Sequence, residues 1–158
     1  MKIDGRRYLI AVDPGLKTGY VEYELEDPLP KMVLSDELSI NEFYDRIKSL
    51  FSTKEVVNNL QIVCEDFIIT TETAKKTIGG NWSIELIGAL KYLCYIHKVP
   101  ITMQRPGDRM SISHDQLKTL GYWHVGGDGH ANQASRHAVV YMLDELKNKN
   151  IAKALIQA

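Results

Sequence analysis

The stretch from Arg7 to Leu25, RYLIAVDPGLKTGYVEYEL, constrains this chain more than any other. Tyr8-Leu9-Ile10-Ala11-Val12 is a continuous apolar run, the pattern of a strand buried on both faces. It ends in Asp13, and Pro14-Gly15 turns the chain. From Tyr20 to Leu25 the residues alternate, with Val21, Tyr23 and Leu25 on one face and Glu22 and Glu24 on the other. This second run reads as a half-exposed hairpin partner of the first. Asp13 then stands at the C-terminal end of a central strand. A carboxylate buried there alone is too costly, so it must be paired, hydrogen-bonded or metal-bound.

The remainder of the chain is read for that partner. After the Asp27-Pro28-Leu29-Pro30 break, Met32-Val33-Leu34 predicts a third strand. Ser39 with Glu42 is a capping box, and Ile40, Phe43, Ile47 and Leu50 continue it as a helix to about Phe51. Leu60 to Cys64 predicts a fourth strand, ending in Glu65-Asp66. The segment from Ile68 to Asn81 is rich in Thr and Lys, closes with Gly79-Gly80 and has weak periodicity. Trp82 to His97 carries an apolar helical face, and Val99 to Met103 predicts a fifth strand. Ser113 with Gln116 opens a short helix that Gly121 stops, and Gly126-Gly127-Asp128-Gly129 leads into a last helix from His130 to Lys147. Three strands joined by short turns, then alternating helices and strands, predict an α/β fold with a mixed sheet.

At 158 residues the chain is expected to form one domain over 1–158, with a core that needs no disulfide. Cys64 and Cys94 fall inside core elements and read as buried hydrophobes. No apolar run approaches the length of a membrane span, and the N-terminal residues lack a signal-peptide pattern, so a cytoplasmic protein is expected. The net charge of −1 argues against a protein whose only task is gripping nucleic acid, but carboxylates gathered at a metal site lower the net charge by themselves. No Walker A pattern is present.

Asp13 and Glu65 both end predicted strands. If those strands are parallel neighbours, the two carboxylates emerge at one sheet edge, where open α/β sheets bind their ligands. Placed together they repel, and one protonates unless a cation lies between them. Oxygen donors of this kind suit Mg²⁺ or Mn²⁺. Taken singly, Asp13 also fits a turn residue and Glu65 an exposed strand end; their matched apolar strands favour a site. In a helix starting near His130, positions 130, 133 and 137 share a face, with Ala134 and Ala138 beside it. The small alanines would let that helix approach the sheet closely, with His130 or Asp128 reaching the metals.

Asp13-Pro14-Gly15 followed by Thr18-Gly19 resembles the first motif of RuvC-type Holliday-junction resolvases, of the ribonuclease H-like superfamily. Val63-Cys64-Glu65-Asp66-Phe67 resembles their second motif, and His130-Ala131-Asn132-Gln133-Ala134 their last. The likeness runs in order over nearly the whole chain, and the divergent last motif looks most like a bacteriophage member. It implies a ribonuclease H-like five-stranded sheet, a homodimer, and two-metal hydrolysis of four-way junctions and other branched DNA. Asp13 would bridge two Mg²⁺ ions, Glu65 would hold one, and His130 with Asp128 would complete the other side. Gln133 stands where the family has an acidic residue, so metal binding there would be weaker. Lys75, Lys76, Arg105, Arg109 and Lys118 are the expected phosphate-binding cations. Phe67 is the expected base-stacking residue, whereas Trp82 is expected to pack at its helix start. Two alternatives stand beside this reading: a non-catalytic or weakly catalytic binder of branched DNA, and a ribonuclease H-like nuclease of RNA processing.

Overall fold

The structure, a computed structural model, describes residues 5–76 and 81–157. The Tyr8–Asp13 run is its central strand, β1. β2 (Lys17–Glu24) pairs antiparallel with it, and β3 (Lys31–Ser39) pairs antiparallel with β2. After α1 (Ile40–Ser52) and the single turn α2 (Lys54–Val57), β4 (Leu60–Glu65) returns parallel to β1 on its other side. Next come α3 (Thr71–Lys76), α4 (Trp82–His97) and β5 (Ile101–Gln104), the last parallel to β4. A 3-10 turn at Asp108–Ser111 precedes α5 (His114–Leu120), α6 (His130–Asp144) and α7 (Lys149–Ile156). The sheet order is β3-β2-β1-β4-β5, a mixed five-stranded sheet flanked by helices as the strand pattern predicts.

β1 is apolar on both faces because both faces are covered. Leu9 and Ala11, with Val21, Tyr23 and Val63 from its neighbours, pack under α5, α6 and α7. Ile10 and Val12, with Tyr20, Ile62 and Cys64, pack under α1 and α4. The period of two along each strand separates these sets, so each strand feeds two cores at once. Both cysteines are buried and free. Both capping boxes form as read: Ser39 with Glu42 opens α1, and Ser113 with Gln116 opens α5, which ends at Gly121 with φ 75°. No helix among the described residues is long and apolar enough to cross a membrane.

Four local expectations need correction. β2 starts at Lys17, before the Tyr20 at which the alternating run begins, and Thr18 to Val21 are buried; beyond them the alternation holds, with Tyr23 buried and Glu22 and Glu24 half-exposed. β3 runs well past Leu34, through Ser35, Asp36 and Glu37, because an edge strand tolerates polar residues that otherwise read as loop. The Thr- and Lys-rich segment holds α3, while Gly79-Gly80 lies outside the described residues. The last helix stops at Asp144, and Asn148 then caps α7 by accepting from the N–H groups of Asn150 and Ile151. Ile151, Ala154 and Leu155, at helical spacing, are the signal in the sequence from which α7 could have been read.

Candidate active site

Parity along the sheet sets the site. Leu9 and Ala11 face α6, so the next odd residue, Asp13, does too; Gln61, Val63 and Glu65 follow the same rule on β4. The parallel pairing runs to Val12 opposite Cys64, which leaves Asp13 and Glu65 on adjacent strand ends, about 5 Å apart along the backbone ladder. They open into a cleft of about 400 Å³, lined also by Pro14, Gly15, Asp66, Phe67, Arg109, Asp128, His130 and Gln133. The Pro14-Gly15 turn beside it is tied down twice. The Thr18 hydroxyl donates to the Gly15 carbonyl at 3.2 Å, and Ser83 at the start of α4 donates to the Pro14 carbonyl at 2.9 Å.

α6 lies directly on the sheet. Ala131, Ala134 and Ala138 are fully buried, as their size predicts. Gly19, paired with Asp13 across β1 and β2, has no side chain to separate them; a Cβ there would overlap the His130 carbonyl and the Ala131 nitrogen. This approach brings the half-exposed His130 ring to Asp13, with Nδ1 2.9 Å from Oδ2. Burial and the neighbouring Glu65 charge push the Asp13 carboxyl above its usual range, against the hydrogen bond and charge of His130 and the charge of Arg109.

Glu65 is held differently. Its Oε2 takes the Arg109 guanidinium and lies 2.7 Å from His137 Nε2. The His137 ring is fully buried, and its Nδ1 lies 2.6 Å from Gln104 Oε1. Arg109 is fixed from behind: Arg136, buried on α6, donates through Nε to the carbonyls of Ile112 at 2.6 Å and Arg109 at 3.0 Å. Burial, then the Arg109 charge, hold the Arg136 guanidinium below its ordinary range.

The residues expected to bind metal, Asp13, Glu65, Asp128, His130 and Gln133, therefore all line one cleft. They do not form a ready cage. The Asp128 carboxylate is 3.3 Å from Lys17 Nζ, and Gln133 Oε1 accepts from Arg136 at 3.1 Å. Among the described residues no group of three or more His, Cys, Asp or Glu side chains is arranged to hold a metal ion. The donor chemistry fits one hard divalent cation at the Asp13–Glu65 pair, the rest of its shell coming from water and substrate phosphate. Asp128, Gln133 and one oxygen of Glu65 each have a cationic partner here, Lys17, Arg136 and Arg109 respectively.

Among the expected DNA contacts, Phe67 lines the cleft, and Lys75 and Arg105 are exposed near it in sequence after β4 and β5. The Lys76 side chain lies outside the described residues. Arg109 is not an open surface cation; its charge is spent on Glu65. Lys118 sits on α5 over the Trp123 ring, 5.0 Å from its centroid, and is not part of the cleft wall. Trp82 is partly exposed and belongs to neither core cluster.

Sequence reasoning did not single out His137, Gln104, Arg136 or Glu37. His137 had a signal, its place on the His130 face of the helix. Glu37 had none; it reaches the start of α6 from β3, where its carboxylate accepts the N–H groups of Asp128 at 2.7 Å and Ala131 at 3.3 Å.

No family model and no curated protein matches the chain. Solved structures do. Thermus thermophilus RuvC in complex with a Holliday junction substrate aligns over 90% of this chain and 97% of its own, at 12% identity and a TM-score of 0.63. A second Thermus thermophilus RuvC structure aligns over 89% of this chain and 97% of its own, at 14% identity and a TM-score of 0.58. At such identities the likeness is one of fold: this chain has the ribonuclease H-like sheet of RuvC.

Proposed function

We propose that this protein is a divalent-metal-dependent endonuclease for branched DNA, with four-way junctions as its substrate class. The observation that carries the proposal is the pair of carboxylates, Asp13 and Glu65, on neighbouring parallel strand ends and facing one cleft beside His130. The fold shared with a RuvC bound to a Holliday junction supports the choice of DNA.

Asp13 and Glu65 would hold the cation, for which Mg²⁺ is the natural choice and Mn²⁺ a substitute. Bound there, it would supply a hydroxide at neutral pH and stabilise the leaving oxygen of the phosphodiester. A second ion would have to take Asp128 from Lys17. The chain's own residues do the rest. Asp13 orients His130 through their hydrogen bond, and the ring's open side accepts a proton from water or aligns it. Arg109 and His137 fix Glu65, so that its other oxygen is the one free to turn toward the cleft. Lys75 and Arg105 would bind flanking phosphates, and Phe67 would stack on a base at the branch. A homodimer would set two such sites on opposed strands; the exposed Tyr92, Tyr95 and Ile96 on α4 offer an apolar surface for it.

One feature favours a second reading, a branched-DNA binder that cuts poorly. Gln133 brings no charge, and its oxygen is committed to Arg136. The deciding experiment incubates a synthetic four-way junction, the matched linear duplex and the matched RNA with the protein in Mg²⁺, Mn²⁺ or chelator. Metal-dependent nicks confined to the branched DNA are expected. Tight junction binding without cuts would move the assignment to the binder, and cuts confined to RNA would move it to RNA processing.

A further inference from the structure

The residues around the start of α6 form a row across three strands. Asp13 on β1 pairs with Gly19 on β2, and Gly19 pairs with Glu37 on β3. The first turn of α6 lies over the glycine, between the two carboxylates. Gly129, the residue before the helix, has φ 93° and no side chain with which to cap it. The helix N-terminus therefore carries N–H groups that need an acceptor from elsewhere. Glu37 is that acceptor, taking Asp128 N–H at 2.7 Å on Oε2 and Ala131 N–H at 3.3 Å on Oε1. Gly127, with φ 68°, makes room for it: a Cβ there would collide with the Glu37 carboxylate.

We infer that Glu37 is a positioning residue for the active site, clamping the start of α6 so that His130 meets Asp13. The inference rests on the nuclease reading for its effect on rate, and on the geometry alone for its effect on His130. Three constraints converge on one residue. Gly19 sets how close the helix comes, Asp13 takes the His130 side chain, and Glu37 takes the backbone on either side of it. Removing Glu37 takes the protein acceptor from the Asp128 and Ala131 N–H groups, leaving them to water, and frees the loop before α6. His130 then loses its fixed approach to Asp13, while the DNA-facing cations and Phe67 are untouched. A consequence follows for substrate binding: Glu37 fills the position at this helix N-terminus that a phosphate would otherwise occupy, so DNA phosphates dock elsewhere in the cleft.

The test compares wild type with Glu37→Ala and Glu37→Gln, using single-turnover cleavage at saturating junction, junction affinity in chelator, and NMR of the His130 ring at fixed pH. Glu37→Ala should lower the rate about 10- to 100-fold, as sub-ångström misplacement of a reacting group does, with affinity unchanged within about twofold. Its His130 ring resonances should move. Glu37→Gln keeps a carbonyl oxygen to accept one N–H and should retain more rate than Glu37→Ala; it also serves if the alanine variant fails to fold. A Glu37→Ala variant whose rate stays within about twofold of wild type, or whose His130 resonances do not move, overturns the inference; if that variant fails to fold, a Glu37→Gln variant unchanged in both rate and His130 spectrum overturns it. If wild type cuts no substrate in any metal, the nuclease reading fails, and the His130 spectra still decide the positioning role.

Discussion

Asp13 and Glu37 flank the same helix start and are held in opposite ways. Asp13 is buried beside another carboxylate, with His130 as its hydrogen-bond partner, and its carboxyl is pushed up. Burial also opposes ionisation of Glu37, but the N–H groups of Asp128, Ala131, Gly129 and His130 outweigh it and hold that carboxyl down. One acid is left short of positive charge and open to a cleft; the other is saturated by backbone donors. Chemistry belongs at the first and architecture at the second. Glu65 is intermediate, a cleft carboxylate with one oxygen already anchored by Arg109 and His137.

The strongest way to break this contrast is Asp13→Asn. Junction cleavage should fall about 10³-fold or more while junction binding persists. Cleavage near the wild-type rate would remove Asp13 from the chemistry.

Gly19→Ala attacks the spacing that both acids share. The added methyl meets the His130 carbonyl, which belongs to a packed helix and cannot move aside freely. A loss of about 3 kcal/mol in urea unfolding is expected. A variant as stable as wild type would mean that α6 does not sit this close to β2.

The pH dependence of stability, in chelator, should carry opposite signs for the two acids. Asp13 has a raised folded-state value, so the folded chain holds that proton more tightly than the unfolded chain. Its contribution to stability falls as pH rises from its ordinary 3.8 through the raised value. Glu37 has a lowered value, so its contribution is fully present above its ordinary 4.5 and is lost as pH falls through the lowered one. Asp13→Asn should therefore gain stability relative to wild type with rising pH, and Glu37→Gln should lose it. Unfolding midpoints between about pH 3 and pH 7 check both slopes.

The smallest effect should come from Lys17→Ala. The Lys17–Asp128 pair is exposed on both sides, so its loss should change stability by under about 1 kcal/mol. If Asp128 holds a second ion, the same variant frees its carboxylate and should lower the Mg²⁺ concentration needed for cleavage. An unchanged Mg²⁺ midpoint would leave Asp128 out of the metal site.

The sequence by itself determined the central strands, the main helix starts and the two acids, but not α3, α7 or the full lengths of β2 and β3. A both-faces apolar run ending in Asp13, a second ending in Glu65, and capping boxes at Ser39 and Ser113 are signals contained within a few residues, because strand period and helix caps are local physics. The helix start at His130 followed from the glycines before it. Even the alanine stripe of α6 announced a close approach to the sheet. What only the tertiary structure decided is which charges each acid meets. Arg109 and His137 converge on Glu65 from different elements, Gln133 turns to Arg136, and Lys17 reaches Asp128. Glu37 acts across two strand pairings, through a register that no short window of sequence contains. Such partnerships depend on how the strands align and how near α6 lies, and a single missing side chain at Gly19 sets the second of these.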